Sequence, residues 1–166
     1  MNAICYFDPR LFYISGYVRF HQCNPDTHTL VKIHLEGFKR DTPHAIHIHT
    51  YGDMRDASIG ACKAVCDHYN PYNTLHGSDV LYGKDRHVGD MINNIVPESG
   101  VVDIEYRDDL IQLFGKNSIV GRSVVVHEKE DDLGRYRTEN SERGKGSATT
   151  GNAGGRIACS VIGLAR

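Results

Sequence analysis

Histidine is the residue type through which this sequence can do chemistry, with ten copies in 166 residues. It is the most common metal ligand in proteins, and its side chain titrates near neutral pH. His47 and His49 belong to the alternating segment 45–49, so in a strand both imidazoles point to one face and can reach one ion. Because chance His-x-His pairs are common in a chain so rich in histidine, this pair alone is a weak signal.

The next segment supplies four further candidate ligands. Residues 50–95 are rich in Gly, Asp, Asn and Pro, show little periodicity and contain His68, His76, His87 and Asp90. A connection this long needs something to hold it in place, and a metal ion can do so. Three imidazole nitrogens and one carboxylate oxygen in a tetrahedral array suit zinc.

His127 completes the set at the end of the apolar run VVVH, where a core role explains it poorly. All-imidazole, tetragonal coordination suits copper(II). Each of these histidines alone is more simply interpreted as a solvated side chain. Their joint arrangement predicts a site for two metal ions, one copper and one zinc, that share a histidine.

Short alternating segments must position these side chains. In residues 12–20, Phe12, Ile14, Val18 and Phe20 fall on one face, which is typical of a half-buried strand. Similar segments recur along the chain and predict an all-β, antiparallel sandwich or barrel. The predicted strands are 12–20, 30–36, 45–49, 101–106, 110–114, 119–127 and 157–164.

Two long connections, 50–95 and 128–156, interrupt this pattern. Connections of such length within a compact domain are usually functional. The chain length fits one domain of ordinary size, so we expect a single domain over residues 1–166.

Composition narrows the classes of partner and compartment. A net charge of −2 and a pI near 6.5 argue against a general nucleic-acid binder. The first residues lack a basic segment followed by a long apolar one, and no window is apolar enough to cross a membrane, so a cytoplasmic protein without a membrane partner is expected. Five cysteines leave at least one unpaired within a single chain.

At this point the sequence resembles the copper–zinc superoxide dismutases. The resemblance covers about the last three-quarters of the chain, in the family's order. The stretches that carry it are HAIHIHTYGD (44–53), DHYNP (67–71), HG (76–77), RHVGD (86–90), GRSVVVHEKEDDLG (121–134) and TGNAGGRIACSVIGLAR (150–166).

This resemblance implies an eight-stranded antiparallel Greek-key barrel or sandwich with two long functional loops. It implies an oxidoreductase that converts two superoxide ions into dioxygen and hydrogen peroxide through Cu(II)/Cu(I) cycling, with a structural zinc. The residues that match the family's copper ligands are His47, His49, His68 and His127, and those that match its zinc ligands are His68, His76, His87 and Asp90.

Other matching residues receive supporting roles from the resemblance. His68 matches the bridging imidazole, and Arg156 matches the arginine that holds the superoxide anion beside copper; both are expected to be catalytic. Asp131 matches the aspartate that links a copper-ligand histidine to a zinc-ligand histidine, and Cys62 and Cys159 match the disulfide.

The resemblance also implies partners beyond the substrate. A homodimer is expected, and a copper chaperone that loads the metal is compatible with the resemblance. The residues that match the family's dimer surface are Tyr51, Gly52, Gly121, Ile162 and Leu164. His44 lies in the motif without matching a ligand, so we interpret it as a structural, hydrogen-bonding histidine.

Three departures from the family's pattern stand out. The family often has lysine where this chain has Thr149, and Arg143 or Lys145 is a candidate substitute within a charged, lengthened loop. The spacing between His76 and His87 is longer than usual. Cys66 takes a place where the family usually has glycine, and its alternatives are a free thiol, a competitor for Cys159 and a stray metal ligand.

Two other functions compete with the enzyme. One is a copper-transfer protein on the same fold, and the other is a structural or interaction protein with an idle site. The chain keeps every match to a copper ligand, keeps Arg156 and has no thiol-rich CxC tail, which favours the enzyme.

Overall fold

Two antiparallel sheets form the fold in the computed structural model, which describes residues 1–39, 41–59 and 62–166. Five strands pair in the order β6-β3-β2-β1-β9, and four pair in the order β5-β4-β7-β8. No ladder joins the two sheets in the described part of the chain, so the arrangement is a sandwich. The strands are β1 (Asn2–Phe7), β2 (Ser15–His21), β3 (Thr29–Glu36), β4 (His44–His49), β5 (Asn93–Ile95), β6 (Val101–Asp108), β7 (Ser123–His127), β8 (Arg156–Val161) and β9 (Gly163–Ala165).

Alternating apolar side chains build the core between the sheets. Phe20 pairs with Val31, and Val18 pairs with Ile33, across the β2–β3 ladder, and all four side chains are fully buried. Residues two apart in a strand share a face, so both strands turn the same apolar face inward. The all-β prediction is therefore confirmed, and so is the inward face predicted for residues 12–20.

The strand count differs from the eight expected because one predicted strand serves both sheets. The segment 157–164 divides at Ile162, whose backbone N–H donates to the Arg122 carbonyl oxygen at 2.8 Å instead of to a neighbouring strand. Before this point β8 pairs with β7, and after it β9 pairs with β1.

The predicted strand 110–114 is wrong. The Asp108 carboxylate accepts the backbone N–H groups of Leu110 and Ile111 at 2.8 and 3.0 Å, and the Gln22 side-chain oxygen accepts the Leu113 N–H at 2.8 Å. Buried side chains thus satisfy the backbone groups that a ladder would otherwise pair. The alternating segment β1 and the short β5 and β9 were not predicted as separate strands.

The two long connections carry the described helices. A 3₁₀ turn (Ala57–Ile59) and α1 (Asp79–Tyr82) lie in the first, and α2 (Glu142–Thr149) lies in the second. Ser141 caps α2, because its hydroxyl oxygen accepts the Gly144 N–H at 3.0 Å. None of the described helices is long and apolar enough to cross a membrane.

Candidate metal centre

The sheet supplies three imidazoles to one end of the sandwich. His47 and His49 share a face of β4, and His127 ends the neighbouring strand β7. All three are buried, and the Nε2 atoms of His49 and His127 lie 3.4 Å apart. Two paired strands therefore bring these three rings together, and hydrogen bonds with the loops orient two of them.

The first loop adds a fourth imidazole to this cluster. His68 forms an isolated β-bridge with His49, and its ring centroid lies 4.0 Å from that of His47. One nitrogen from each of His47, His49, His68 and His127 lies within 4.8 Å of the others. His47 Nδ1 and His68 Nε2 are buried with no hydrogen-bond partner among the residues described, so both nitrogens fit the role of metal ligands.

A second cluster lies on the other side of His68. The Nδ1 atoms of His68, His76 and His87 converge on Asp90 Oδ1 at 2.9, 2.9 and 3.1 Å. Asp90 Oδ2 accepts the backbone N–H groups of Gly77 and His87, each at 3.0 Å, and these bonds orient the carboxylate. Three imidazole nitrogens and one carboxylate oxygen are a donor set that tetrahedral zinc takes.

In the first cluster, burial is the main cause of the pKa shifts. Desolvation lowers the pKa of His47 to about 4 and the pKa of both His68 and His127 to about 3, so these rings are neutral with lone pairs available. Neutral imidazole is the form that binds copper or zinc.

In the second cluster, hydrogen bonds between carboxylates and imidazoles determine the direction of the pKa shifts. Burial opposes protonation of His76, but hydrogen bonds to Asp131 and Asp90 outweigh it and raise the pKa of His76 to about 10. Burial also opposes ionisation of Asp90, and the surrounding imidazoles nevertheless hold its pKa well below the usual range. A cation is therefore favoured at this cluster.

The Asp131 carboxylate links the two clusters by a hydrogen bond to one imidazole of each. Its Oδ2 accepts from His47 Nε2 at 2.6 Å, and its Oδ1 accepts from His76 Nε2 at 2.9 Å. Asn93 Nδ2 donates to Oδ2 at 3.2 Å. These bonds fix both rings so that each Nδ1 faces its cluster, which is how outer carboxylates orient metal-binding histidines.

Gly151 lies against this carboxylate and adopts φ +64°. A Cβ atom on Gly151 would lie 2.3 Å from Asp131 Oδ1, so only glycine leaves room for the bridging carboxylate. Gly151 falls within the stretch 150–166 that carries the family resemblance, but no role was predicted for it or for Asn93 from the sequence.

Arg156 lies at the rim of the first cluster. Its Nη1 donates to the Cys62 carbonyl oxygen and its Nη2 to the Cys66 carbonyl oxygen, each at 2.6 Å. The Cys66 carbonyl also pairs with His49 Nδ1 at 2.6 Å, so one peptide oxygen ties the guanidinium to an imidazole of the cluster. Carboxylates within ion-pair distance of Arg156 are absent from the described residues.

A disulfide holds that loop to the sheet. Cys62 and Cys159 are bonded across 97 residues, as the resemblance implied. A loop of this length is worth roughly 4–5 kcal/mol in the chain-entropy model. Cys66 is a free, exposed thiol, and its φ of +65° is the backbone conformation that favours glycine.

The candidate substitutes for the family's lysine are both engaged with acids. The guanidinium of Arg143 lies 2.8 Å from Glu139, and the Lys145 ammonium lies 2.7 Å from Glu142. Thr149 donates its hydroxyl to the Lys145 carbonyl oxygen at 2.9 Å. The neighbouring acids therefore offset much of the positive charge of this loop.

Two further predicted roles have clear outcomes. His44 pairs through Nδ1 with the His127 carbonyl oxygen at 2.9 Å, so its structural role is confirmed. Ile162 was wrongly assigned to a dimer surface, because its side chain is fully buried in the core. Tyr51 and Leu164 remain exposed.

Comparison with known proteins agrees with this geometry. The family model described as copper/zinc superoxide dismutase matches residues 14–162. The chain is 40% identical to superoxide dismutase [Cu-Zn] of Saccharomyces cerevisiae and 43% identical to superoxide dismutase [Cu-Zn] A of Xenopus laevis, with 91% of this chain and 90% of each relative covered. It is 43% identical to the extracellular superoxide dismutase [Cu-Zn] of Drosophila melanogaster, with 91% of this chain and 76% of that relative covered.

Proposed function

We propose that this chain, which belongs to the copper/zinc superoxide dismutase family, disproportionates two superoxide ions and two protons into dioxygen and hydrogen peroxide. The observation that carries the proposal is that the buried imidazole of His68 belongs both to the four-histidine cluster and to the group of imidazoles that surrounds Asp90. Copper and zinc fit these donors as cofactors. The residues proposed to hold copper are His47, His49, His68 and His127, and those proposed to hold zinc are His68, His76, His87 and Asp90.

Bound copper supplies the one-electron redox chemistry, and bound zinc, which is not redox-active, supplies structure. The chain itself binds and orients. Arg156 presents a fixed positive charge to the anion at the rim, supported by its bonds to two carbonyl oxygens. Each turnover consumes two protons, and we assign the delivery of one of them to His68 Nε2, a buried nitrogen without a hydrogen-bond partner among the residues described, while the other comes from solvent.

Superoxide consumption by the copper- and zinc-loaded protein tests the proposal. His127→Ala removes one imidazole from the first cluster and is expected to abolish catalysis, since an incomplete donor set loses copper. His28→Ala, which removes an exposed histidine, is the matched control and should retain full activity. Metal content measured on the same samples links loss of activity to loss of copper.

The two alternative functions make different predictions in this assay. A copper-transfer protein or a protein with an idle site should consume superoxide no faster than the His127→Ala variant. Equal, slow rates for the loaded parent and the variant would therefore contradict the enzyme and favour these alternatives.

Steering of the anion is a separate part of the proposal. Because Glu139 and Glu142 offset Arg143 and Lys145, we expect a positive field centred on Arg156, and kcat/KM should fall as ionic strength rises. Superoxide dismutase is itself a well-known example of fast, charge-steered catalysis, so this expectation follows the family's general behaviour. A flat dependence of kcat/KM on ionic strength would remove steering and leave the redox chemistry untouched.

Assembly and compartment complete the proposal. A homodimer through the surface around Tyr51, Gly52, Gly121 and Leu164 is supported by the exposed apolar side chains of Tyr51 and Leu164, and sedimentation analysis with Leu164→Asp tests it. Cytoplasmic residence of a single-domain chain is supported by two exposed free thiols, Cys23 among them, which are typical of a reducing compartment. A copper chaperone is the proposed route of metal loading.

A further inference from the structure

Three peptide groups beside the ligand residues form a closed ring of hydrogen bonds, the peptide ring. The Ile48 N–H donates to the Gly89 carbonyl oxygen at 2.8 Å, and the Gly89 N–H donates to the Tyr69 carbonyl oxygen at 2.9 Å. The Tyr69 N–H closes the ring, because it donates to the Ile48 carbonyl oxygen at 2.8 Å. The peptide ring therefore joins strand β4 to two separate points of the long connection that follows it.

Each residue of the peptide ring is a sequence neighbour of proposed metal ligands. Ile48 lies between the two imidazoles of β4, Tyr69 follows the shared imidazole, and Gly89 precedes the carboxylate of the second cluster. The ligands that adjoin the ring in this way are His47, His49, His68 and Asp90. Because neighbouring Cα atoms are only about 3.8 Å apart, a shift within the peptide ring moves ligands of both clusters.

The peptide ring also completes the edge of β4. Strand β5 pairs with β4 from His44 to Ile46, and beyond this point the Ile48 backbone bonds to Tyr69 and Gly89 instead. All three residues of the ring are buried. A buried backbone group without a partner is costly, so these bonds favour one arrangement of the connection against the strand.

Glycine is required at position 89 because of these contacts. A Cβ atom on Gly89 would lie 2.2 Å from the Ile48 carbonyl oxygen and 2.9 Å from the Tyr69 nitrogen. Both atoms belong to the peptide ring, and backbone atoms cannot rotate away as the end of a side chain can. Any larger residue at this position would therefore push the ring open.

We infer that Gly89 is a positioning residue that acts through the peptide ring and holds the His68 imidazole between the two clusters. His68 Nδ1 lies 2.9 Å from Asp90 Oδ1, and the other nitrogen, Nε2, is buried without a hydrogen-bond partner in the described part of the chain. A displacement of Tyr69 relative to Ile48 moves this imidazole, while each cluster keeps its three other donors. The inference rests on the proposed use of both clusters by metal ions.

Electron paramagnetic resonance of the protein with copper(II) in the first cluster and cobalt(II) in place of zinc tests the inference. An imidazolate that binds both ions couples their unpaired spins, and this coupling suppresses the copper(II) signal. The parent should therefore show a suppressed signal. Gly89→Ala should bind both metals and recover most of the copper signal, because its displaced His68 no longer serves both ions.

Gly144→Ala is the matched control. A Cβ atom on Gly144 would lie 2.1 Å from the Glu139 carbonyl oxygen, so it makes a comparable clash with the backbone in α2, outside the peptide ring. This variant should keep the copper signal suppressed, although it loses stability. The metal content of every sample is measured alongside the spectrum.

Two outcomes would overturn the inference. One is a Gly89→Ala protein that binds both metals and keeps the copper signal as suppressed as in the parent. The other is a parent whose copper signal is not suppressed. Superoxide consumption by the copper- and zinc-loaded parent is measured separately, so a suppressed signal without activity would contradict the proposed function and leave the role of Gly89 standing.

Hydrogen exchange in the copper(I), zinc-loaded parent keeps the inference testable if Gly89→Ala fails to fold. Peptides of one closed ring lose their bonds together, so the Ile48, Tyr69 and Gly89 amides should exchange within about threefold of one another after correction for intrinsic rates. The amide of Asp85, an exposed residue of the same connection whose N–H donates to the Tyr82 carbonyl oxygen, should exchange at least about tenfold faster. A spread of more than about tenfold among the three ring amides would mean that they open separately and would contradict the inference.

Discussion

The two ligand clusters meet at His68, but the chain builds them by different means. Strands β4 and β7 set the positions of His47, His49 and His127, which supply three of the four imidazoles of the first cluster, and loop groups only orient the rings. The second cluster comes wholly from the long connection between β4 and β5, where Asp90 gathers three imidazoles from residues distant in sequence.

This difference indicates a division of labour. A sheet holds a donor set rigidly before any ion binds, as a redox site requires. A loop of this length gains its order from what it binds, and a structural metal contributes folding free energy directly. We therefore expect the first cluster to persist without metal and the second to depend on it.

The largest expected effect comes from Asp90→Asn, which removes the only carboxylate of the loop cluster. Zinc affinity should fall by at least about a hundredfold, since structural zinc sites are worth about 10–16 kcal/mol over four ligands. Copper affinity should change far less, because the strand imidazoles remain. Competition with a chromophoric chelator measures both affinities.

Asp26→Asn is the matched control, because Asp26 is an exposed turn residue outside both clusters. Equal losses of copper and zinc in Asp90→Asn would break the distinction between strand-built and loop-built clusters.

Sequence and structure agree best where one local rule decides the outcome. Period-two alternation located β2, β3 and the inward face of the sheet, and it brought His47 and His49 to one face. The resemblance supplied what alternation could not, namely which distant loop residues approach that face.

The wrong strand prediction and the unpredicted role of Asn93 have one physical cause, namely contacts between residues that are distant in sequence. The run LIQLF reads as a strand, but buried Asp108 and Gln22 take its backbone N–H groups. Asn93 is an ordinary loop residue by composition, and only the fold places its amide against Asp131. The local sequence does not show that a distant side chain will take the backbone N–H groups of a segment. Nor does it show that Asn93 contacts Asp131, which lies 38 residues away.

Asp131→Asn probes the coupling between the clusters and should have an intermediate effect. Because Asp131 orients one imidazole of each cluster, both metals should bind roughly tenfold to a hundredfold more weakly. Glu130→Gln controls for the loop, since Glu130 is exposed and belongs to neither cluster. If the affinity for only one metal falls in Asp131→Asn, then Asp131 couples the two clusters less than its hydrogen bonds imply.

The smallest effect, and the finest test of the division between sheet and loop, concerns the free thiols. Cys5 lies in strand β1, where burial raises its pKa to about 12, while Cys23 and Cys66 are exposed. The thiolate is the reactive form, so at about pH 8 a folded chain should alkylate at Cys23 and Cys66 and leave Cys5 protonated and untouched.

Alkylation of the metal-free protein compares the stability of the sheet, which contains Cys5, with that of the loop around Cys66. If the sheets hold without ions, Cys5 in the metal-free protein should stay protected until denaturant is added, although the loop around Cys66 loosens. Mass spectrometry of the Cys23→Ser, Cys66→Ser double variant isolates Cys5, because its other two cysteines form the disulfide. Rapid alkylation of Cys5 on metal removal alone would mean that the strands depend on the ions as much as the loop does, since burial in an intact sheet keeps this thiol both inaccessible and protonated.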